Sequence, residues 1–266
     1  MTAVSPIPRE IPLHGGVANR GSVFRVGDTV RRPLRPHSAA THALLLYLEH
    51  VGFQGAPRFL GIDDRSREVL SFVEGVAATD PHPHWSLSDE ALVSVAALLR
   101  RFHDAVAGFD PTPYTWDRTV PARFAGELVC HNDPNLDNVV FRHGQAVGLI
   151  DFDLAAPGSR LWDVAAAVRL WAPLRDERDI DDIRRGRSLS RLRRFIEAYG
   201  TDLGGLDVLV DAVWVNHCWL YDVVRDGVSG GNPGFTDYWA GGAERREERT
   251  RRWYRQNGAA IQAALA

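Results

Sequence analysis

The sequence predicts an α+β protein of two lobes, a small β-rich lobe at the N-terminus and a larger, mostly helical one after it. Three observations carry this. A chain of 266 residues suits one large domain or two lobes, at roughly 150 residues per domain. Before residue 75, short apolar runs alternate with turn signals; from Ser86 onward, apolar residues recur mostly at helical spacing. Glu74-Gly75 breaks the first pattern, so the lobes are expected to be 1–75 and 76–266, joined over 73–79.

The elements follow in order. Ser22 to Val26 and Thr29 to Arg32 read as a hairpin around Gly27-Asp28, ended by Pro33 and Pro36. A helix is expected from Ser38 to Val51, with Leu44, Leu45 and Leu48 on one face and Gly52 as its stop. Arg58 to Ile62 and Glu68 to Val73 give two more strands around Asp63-Asp64. Ser88 is a candidate N-cap for a helix to about Val106, with Leu92, Val95, Ala96, Leu99 and Phe102 facing inward. A Pro-rich connector, 110–121, leads to an apolar run ending at Cys130. A polar loop, 131–138, precedes strands at Val139 to Arg142 and Ala146 to Ile150. Helices resume near Leu161, Ser190, Leu206 and Thr236, and the mixed-charge run from Glu244 to Arg252 reads as a solvated helix face.

Composition narrows the function. With 45% hydrophobic and 24% charged residues the chain is globular, not disordered. A net charge of −3 supplies no basic field for nucleic acid. No apolar run approaches the roughly 18 residues of a membrane span, and the first residues lack a secretory pattern, so a soluble cytoplasmic protein is expected. Cys130 and Cys218 sit far apart in apolar stretches, in no metal or redox spacing, and read as small hydrophobes. The chain contains no lysine; all 31 basic residues are arginine, so any task usually done by an ammonium falls to guanidinium.

The chemistry lies in Leu128-Val-Cys-His-Asn-Asp-Pro-Asn-Leu-Asp-Asn-Val-Val-Phe, followed by Gly148-Leu-Ile-Asp-Phe-Asp. This reads strand, polar loop, strand, turn, strand, acidic residue, so Asp133, Asn138 and Asp151 are held on a rigid frame. An Asn and an Asp converging there are oxygen donors suited to Mg²⁺, while a separate Asp can take a proton from a hydroxyl. That division of labour is the logic of phosphoryl transfer. His-x-Asp-x4-Asn arises by chance in about 2% of chains of this composition, and the second acidic motif, thirteen residues past Asn138, makes coincidence rarer still.

The pattern is similar to the catalytic segment of the aminoglycoside phosphotransferase-like (choline-kinase-type) phosphotransferase family, whose members share the bilobal protein kinase-like fold. The resemblance implies that Asp133 is the catalytic base, that Asn138 and Asp151 hold Mg²⁺, and that His131 braces the loop. Asn135, Asp137 and Asp153 read more simply as loop caps and solvated acids. The segment from Leu13 through Gly15, Gly16 and Asn19 to Val26 resembles the loop that covers ATP or GTP in this family, Leu70 to Gly75 with Val73 resembles the hinge, and Leu98 to Asp104 the end of the first C-lobe helix. Leu161 to Ala165 resembles a motif in which Asp163 is structural. The similarity covers 13–171.

Two departures stand out. Where the family has a phosphate-gripping lysine, the strand reads Val30-Arg-Arg-Pro, so Arg32, or else Arg31, takes its place. Its usual glutamate partner falls on Thr41 and His42, with Glu49 two turns too late, so the ion pair is expected to be missing. Only eleven residues separate Asp151 from Asp163, too few for a peptide-docking segment, which favours a small-molecule hydroxyl as acceptor.

Trp162, Trp171, Trp214, Trp219, Tyr221, Tyr238 and Trp239, with the acids of 176–182, suit an amino sugar or choline-like alcohol; the plainer account is a Trp-rich core and a solvated loop mixed with Arg175, Arg178 and Arg184. Asp153 and Trp219 are candidate acceptor contacts, and His217 reads as a core histidine. The expected partners are thus a nucleoside triphosphate and a small molecule, with no nucleic acid or membrane. The expected activity is transfer of a γ-phosphate to an aminoglycoside-like antibiotic or another amine-bearing metabolite. The alternatives are a choline or ethanolamine kinase, and a kinase-like binding or immunity protein without turnover.

Overall fold

The computed structural model describes residues 9–13, 16, 17, 19, 21–200, 203 and 206–265. Five antiparallel strands build the N-terminal sheet: β1 (Glu10–Pro12), β2 (Phe24–Val26), β3 (Thr29–Pro33), β4 (Phe59–Ile62) and β5 (Arg67–Ser71), in the order β1-β2-β3-β5-β4. Gly27, with φ of 61°, turns β2 into β3. Helix α1 (Ser38–His50) follows β3 and buries Leu44, Leu45 and Leu48.

The next strand, β6 (Val76–Ala77), leaves that sheet and pairs with β8 (Val139–Arg142), which pairs in turn with β9 (Gln145–Leu149). Helix α2 (Asp89–Val106) is the centre of the second lobe. Ser88 caps it by accepting a hydrogen bond from the Ala91 N–H, a contact worth about 1 kcal/mol. Leu92, Val95, Ala96, Leu99 and Phe102 are fully buried along one face, as their spacing requires. A two-stranded ladder of β7 (Leu128–Cys130) and β10 (Ala156–Gly158) then brings the two ends of the polar segment together. Cys130 is buried and Cys218 half-buried, and burial pushes both thiols up, so neither is primed as a nucleophile.

Helices α3 (Arg160–Trp171) and α4 (Ser188–Tyr199) pack on α2, α5 (Leu206–Ser229) packs on α3, and among the described residues no helix is long and apolar enough to cross a membrane. The helix expected near Thr236 is two. A short α6 (Pro233–Tyr238) passes through a wide turn at Trp239–Ala243 into α7 (Glu244–Leu265); Gly242, with φ of 95°, makes the break.

The mixed-charge run of α7 is a solvated face only in part: Glu244, Arg245, Glu248 and Arg252 are exposed. Glu247 and Thr250 are buried, Glu247 pairs with Arg251, and Arg249 Nε reaches Asp179 at 2.9 Å. Charged residues that alternate in sign along one helix can equally clamp a neighbouring loop, and here they do.

Candidate active site

The loop 131–138 carries the acid-and-amide motif, and one buried carboxylate holds it. Asp163, near the start of α3, accepts the backbone N–H groups of His131 and Asn132, each at 2.8 Å, and the His103 ring at 2.9 Å. His103 in turn meets the Tyr199 hydroxyl at 2.7 Å. Burial alone would raise the Asp163 pKa, but the hydrogen bond and charge of His103 hold it below the ordinary carboxylate value. Asn132 takes a left-handed conformation, φ 66°, fixed by its side chain: its amide donates to Leu154 O and its carbonyl accepts the Trp162 indole N–H, both at 2.8 Å. His131 accepts the Asp133 N–H on Nδ1 at 3.3 Å, which assigns the ring proton to Nε2, donated to Ile150 O at 3.0 Å. Burial lowers the His131 pKa, keeping it neutral.

On that frame the half-buried Asp133 carboxylate accepts Nδ2 of Asn135 at 3.1 Å and Nδ2 of Asn138 at 3.0 Å. Asn138 Nδ2 also donates to Asp133 O, so both its N–H bonds are spent and Oδ1 is the polar atom left to it. Asn135 caps the short turn 136–138 through the Asn138 N–H. Asp151, just past β9, sits at φ 62°, an unusual backbone for a residue with a side chain. Burial, only partly offset by Arg169, pushes Asp133 up to about 7; burial and the neighbouring Asp153 push Asp151 up to about 6.

Asn138, Asp151 and Arg32 line one cavity of about 380 Å³, whose walls are mostly apolar and include Val23, Val30, Leu70, Val73 and Ile150. Gly16 and Asn19 also line it, and a Cβ on Gly16, at φ 69°, would stand 3.9 Å from Asp151 Oδ2. Gly15 lies outside the described residues. Asn138 Oδ1 and the Asp151 carboxylate are hard oxygen donors of the kind Mg²⁺ takes, so the donor set fits that ion. Among the described residues no three His, Cys, Asp or Glu side chains form a cation cage. A cation here would complete its shell with water and phosphate oxygens, as Mg²⁺ commonly does.

The usual helix glutamate is missing as expected, yet Arg32 is not left without an ion pair. Helix α1 indeed offers no glutamate at Thr41 or His42, but β5 does. Glu68 faces Arg32 across the β3–β5 ladder, with Arg32 Nε 2.5 Å from Glu68 Oε1. The same guanidinium reaches Asp151 Oδ1 at 3.0 Å and Asp153 Oδ1 at 2.9 Å, and His42 holds the other Glu68 oxygen at 2.7 Å. The signal in the sequence was the alternation in β5, where Glu68 shares a face with the buried Leu70. Its partner, 36 residues earlier, is defined only by register.

The two candidate acceptor contacts are both engaged by other residues of the chain. Asp153 is held by Arg32, by Arg35 Nε at 2.9 Å and by Asn19 Nδ2 at 3.0 Å, which ties the cover segment to the acidic motif. Trp219 donates its indole N–H to Thr119 O and sets its ring edge against Trp162. Three of the five acids in 176–182 are likewise engaged: Asp176 with Arg178, Asp179 with Arg249, Asp182 with Arg184.

The phosphotransferase enzyme family, of aminoglycoside phosphotransferase type, matches residues 115–199, which span the loop, the acidic motif and α3. A trifolitoxin immunity protein of Rhizobium leguminosarum bv. trifolii is 37% identical over 199 residues, 72% of this chain and 74% of that protein. Among solved structures, a GDP complex of aminoglycoside 2'-phosphotransferase-IIIa superposes with a TM-score of 0.61 at 16% identity, over 97% of this chain and 95% of that one. A choline/ethanolamine kinase family protein of Mesorhizobium loti gives 0.56 at 18% identity, over 91% and 88%. The two lobes are therefore those of the kinase-like fold, and the chain belongs to the aminoglycoside phosphotransferase-like phosphotransferase enzyme family.

Proposed function

We propose that the protein transfers the γ-phosphate of ATP or GTP to a hydroxyl of a small molecule. The observation that carries this reading is the Asp133 carboxylate, fixed by two amides and held near pH 7, beside a cavity whose floor is Asn138, Asp151 and Arg32. A base titrating close to the working pH is best placed to accept a proton as a hydroxyl attacks. Asp133 takes that proton while the acceptor oxygen bonds phosphorus and the nucleoside diphosphate leaves with the electron pair. Mg²⁺ bound at Asn138 and Asp151 would neutralise phosphate charge. Arg32, held by Glu68, presents positive charge to the same cavity. Nucleotide- and aminoglycoside-bound neighbours support the substrate class but carry the fold alone, being below 25% identity.

The test is the thermal midpoint of wild type and Asp151→Asn with Mg·ATP and Mg·GTP. Ligand at about a hundred times Kd stabilises by about 2.7 kcal/mol, so a metal-dependent rise lost in the variant is expected. No rise with either nucleotide at millimolar concentration overturns the reading. A second reading, protection against a toxin by binding without turnover, is favoured by the 37%-identical immunity protein. Asp133→Asn separates the two, because protection that survives it needs no phosphoryl transfer.

A further inference from the structure

Between α3, α5 and α7, beside the catalytic loop, the second lobe buries polar atoms that none of the described residues satisfies. Arg169 Nε, His217 Nε2 and Tyr254 Oη have no hydrogen-bond partner among the described residues, on side chains only 8%, 3% and 6% exposed. Such atoms are costly to leave dry, and a native interior seldom gathers several without a reason. They belong to one neighbourhood. The His217 ring lies 4.8 Å from Tyr221 and 6.3 Å from Tyr254, and stacks on Trp214 at 5.7 Å. Arg169 stands two residues before Trp171, whose indole N–H donates to Pro134 O at 2.8 Å, so this end of α3 abuts the residue next to Asp133. The Arg169 charge acts on Asp133, His217 and Tyr254 alike.

The acids nearest Arg175 are already engaged by other arginines. Asp176, Asp179 and Asp182 are held by Arg178, Arg249 and Arg184, and among the described residues neither Arg169 nor Arg175 forms an ion pair. Burial, then the like charges of Arg184 and Arg169, pull the Arg175 guanidinium below its ordinary value, against the partly offsetting charges of Asp182 and Asp179.

We propose that Arg169, His217 and Tyr254 form the acceptor's anchoring site and that it takes a carboxylate, so that the phosphorylated molecule is a hydroxy acid rather than an amino alcohol. This rests on the phosphotransfer reading and deepens it. A guanidinium pairs with a carboxylate through two parallel N–H bonds, and the phenol and the neutral imidazole complete the oxygen shell. An ammonium at the same place would meet the like charges of Arg169 and Arg175, neither of which is held in an ion pair among the described residues. Seated there, the acid end lies beside the loop that carries Asp133, leaving the hydroxyl end for the base.

The experiment is calorimetric titration of the full chain, with and without Mg·ADP, using γ-hydroxybutyrate and the amino alcohol of the same chain length. The hydroxy acid is expected to bind at least about tenfold more tightly. Arg169→Lys should keep most of that preference and Arg169→Met should lose it; should Arg169→Met fail to fold, Tyr254→Phe should weaken the acid severalfold. Equal or tighter binding of the amino alcohol overturns the proposal. So does an unchanged preference in a folded Arg169→Met, or no binding of either probe at about ten millimolar. Absence of Mg·ADP binding in the same titrations instead removes the phosphotransfer reading, while the comparison of the two probes still decides what the cluster holds.

Discussion

Arg32 and Glu68 stand directly opposite one another on β3 and β5, 2.5 Å apart and both out of the solvent, and the same arginine joins the N-terminal sheet to Asp151 of the acidic motif. A strand-to-strand pair is stiffer than one between a strand and a mobile helix, because the sheet ladder fixes its register. Glu68→Gln leaves a buried guanidinium short of one counter-charge, and breaking a buried pair from one side costs about 3–5 kcal/mol. Urea unfolding should register that loss, and nucleotide affinity should fall with it. A stability within about 0.5 kcal/mol of wild type would mean that Asp151 and Asp153 suffice to hold Arg32.

Asp133→Asn should lower turnover by about 10²–10⁴, the usual worth of a general base, while leaving nucleotide affinity close to wild type. Turnover should climb through pH 7 as the Asp133 carboxylate, pushed up to about 7 by burial, loses its proton, since only the ionised form accepts one. Initial rates across pH 5.5–8.5, beside nucleotide titrations, check both; a flat profile would remove Asp133 from the proton path.

His217 ties stability to pH. Burial, then the charges of Arg169, Arg251 and Arg175, lower its pKa to about 3, against about 6.5 in an unfolded chain. Between those values the unfolded chain holds a proton that the fold refuses. The contribution is therefore fully present above about pH 6.5 and is lost as pH falls toward 3, with a slope of up to about 1.4 kcal/mol per pH unit. His217→Gln should flatten the unfolding free energy between pH 6.5 and 4; an unchanged slope assigns the acid sensitivity to another group.

Gly234, second residue of α6, lies so close to the cover segment that a Cβ there would stand 1.9 Å from Val17 O. No side-chain rearrangement relieves a clash with backbone, so Gly234→Ala must push α6 and Val17 apart. A lower thermal midpoint and weaker nucleotide binding are expected together; a drop in midpoint alone would show that the contact serves packing only.

Much of this was legible in the sequence because it is local. The capped face of α2 follows from spacing within eighteen residues, and the loop and acidic motif are contiguous, so Asp133, Asn138 and Asp151 could be named without a structure. What escaped is non-local. Glu68 becomes a partner of Arg32 only through strand register. Asp179 looked free until Arg249, 70 residues later, arrived from α7. Arg169, in the last turn of α3, is buried although nothing in its local sequence marks it, because the packing of α5 against α3 is not written in a helical repeat.

The anchoring of the catalytic loop by Asp163 carries a last consequence. Loops usually exchange their amide protons quickly, yet the His131 and Asn132 amides donate to a buried carboxylate that is itself bound to α2 through His103. Their exchange with deuterated solvent should require opening of the helical core and proceed as slowly as that of the middle of α2. The loop bearing the acid would then be among the last parts of the molecule to yield its protons, and the breathing that admits and releases ligands would belong to the N-terminal sheet and its cover.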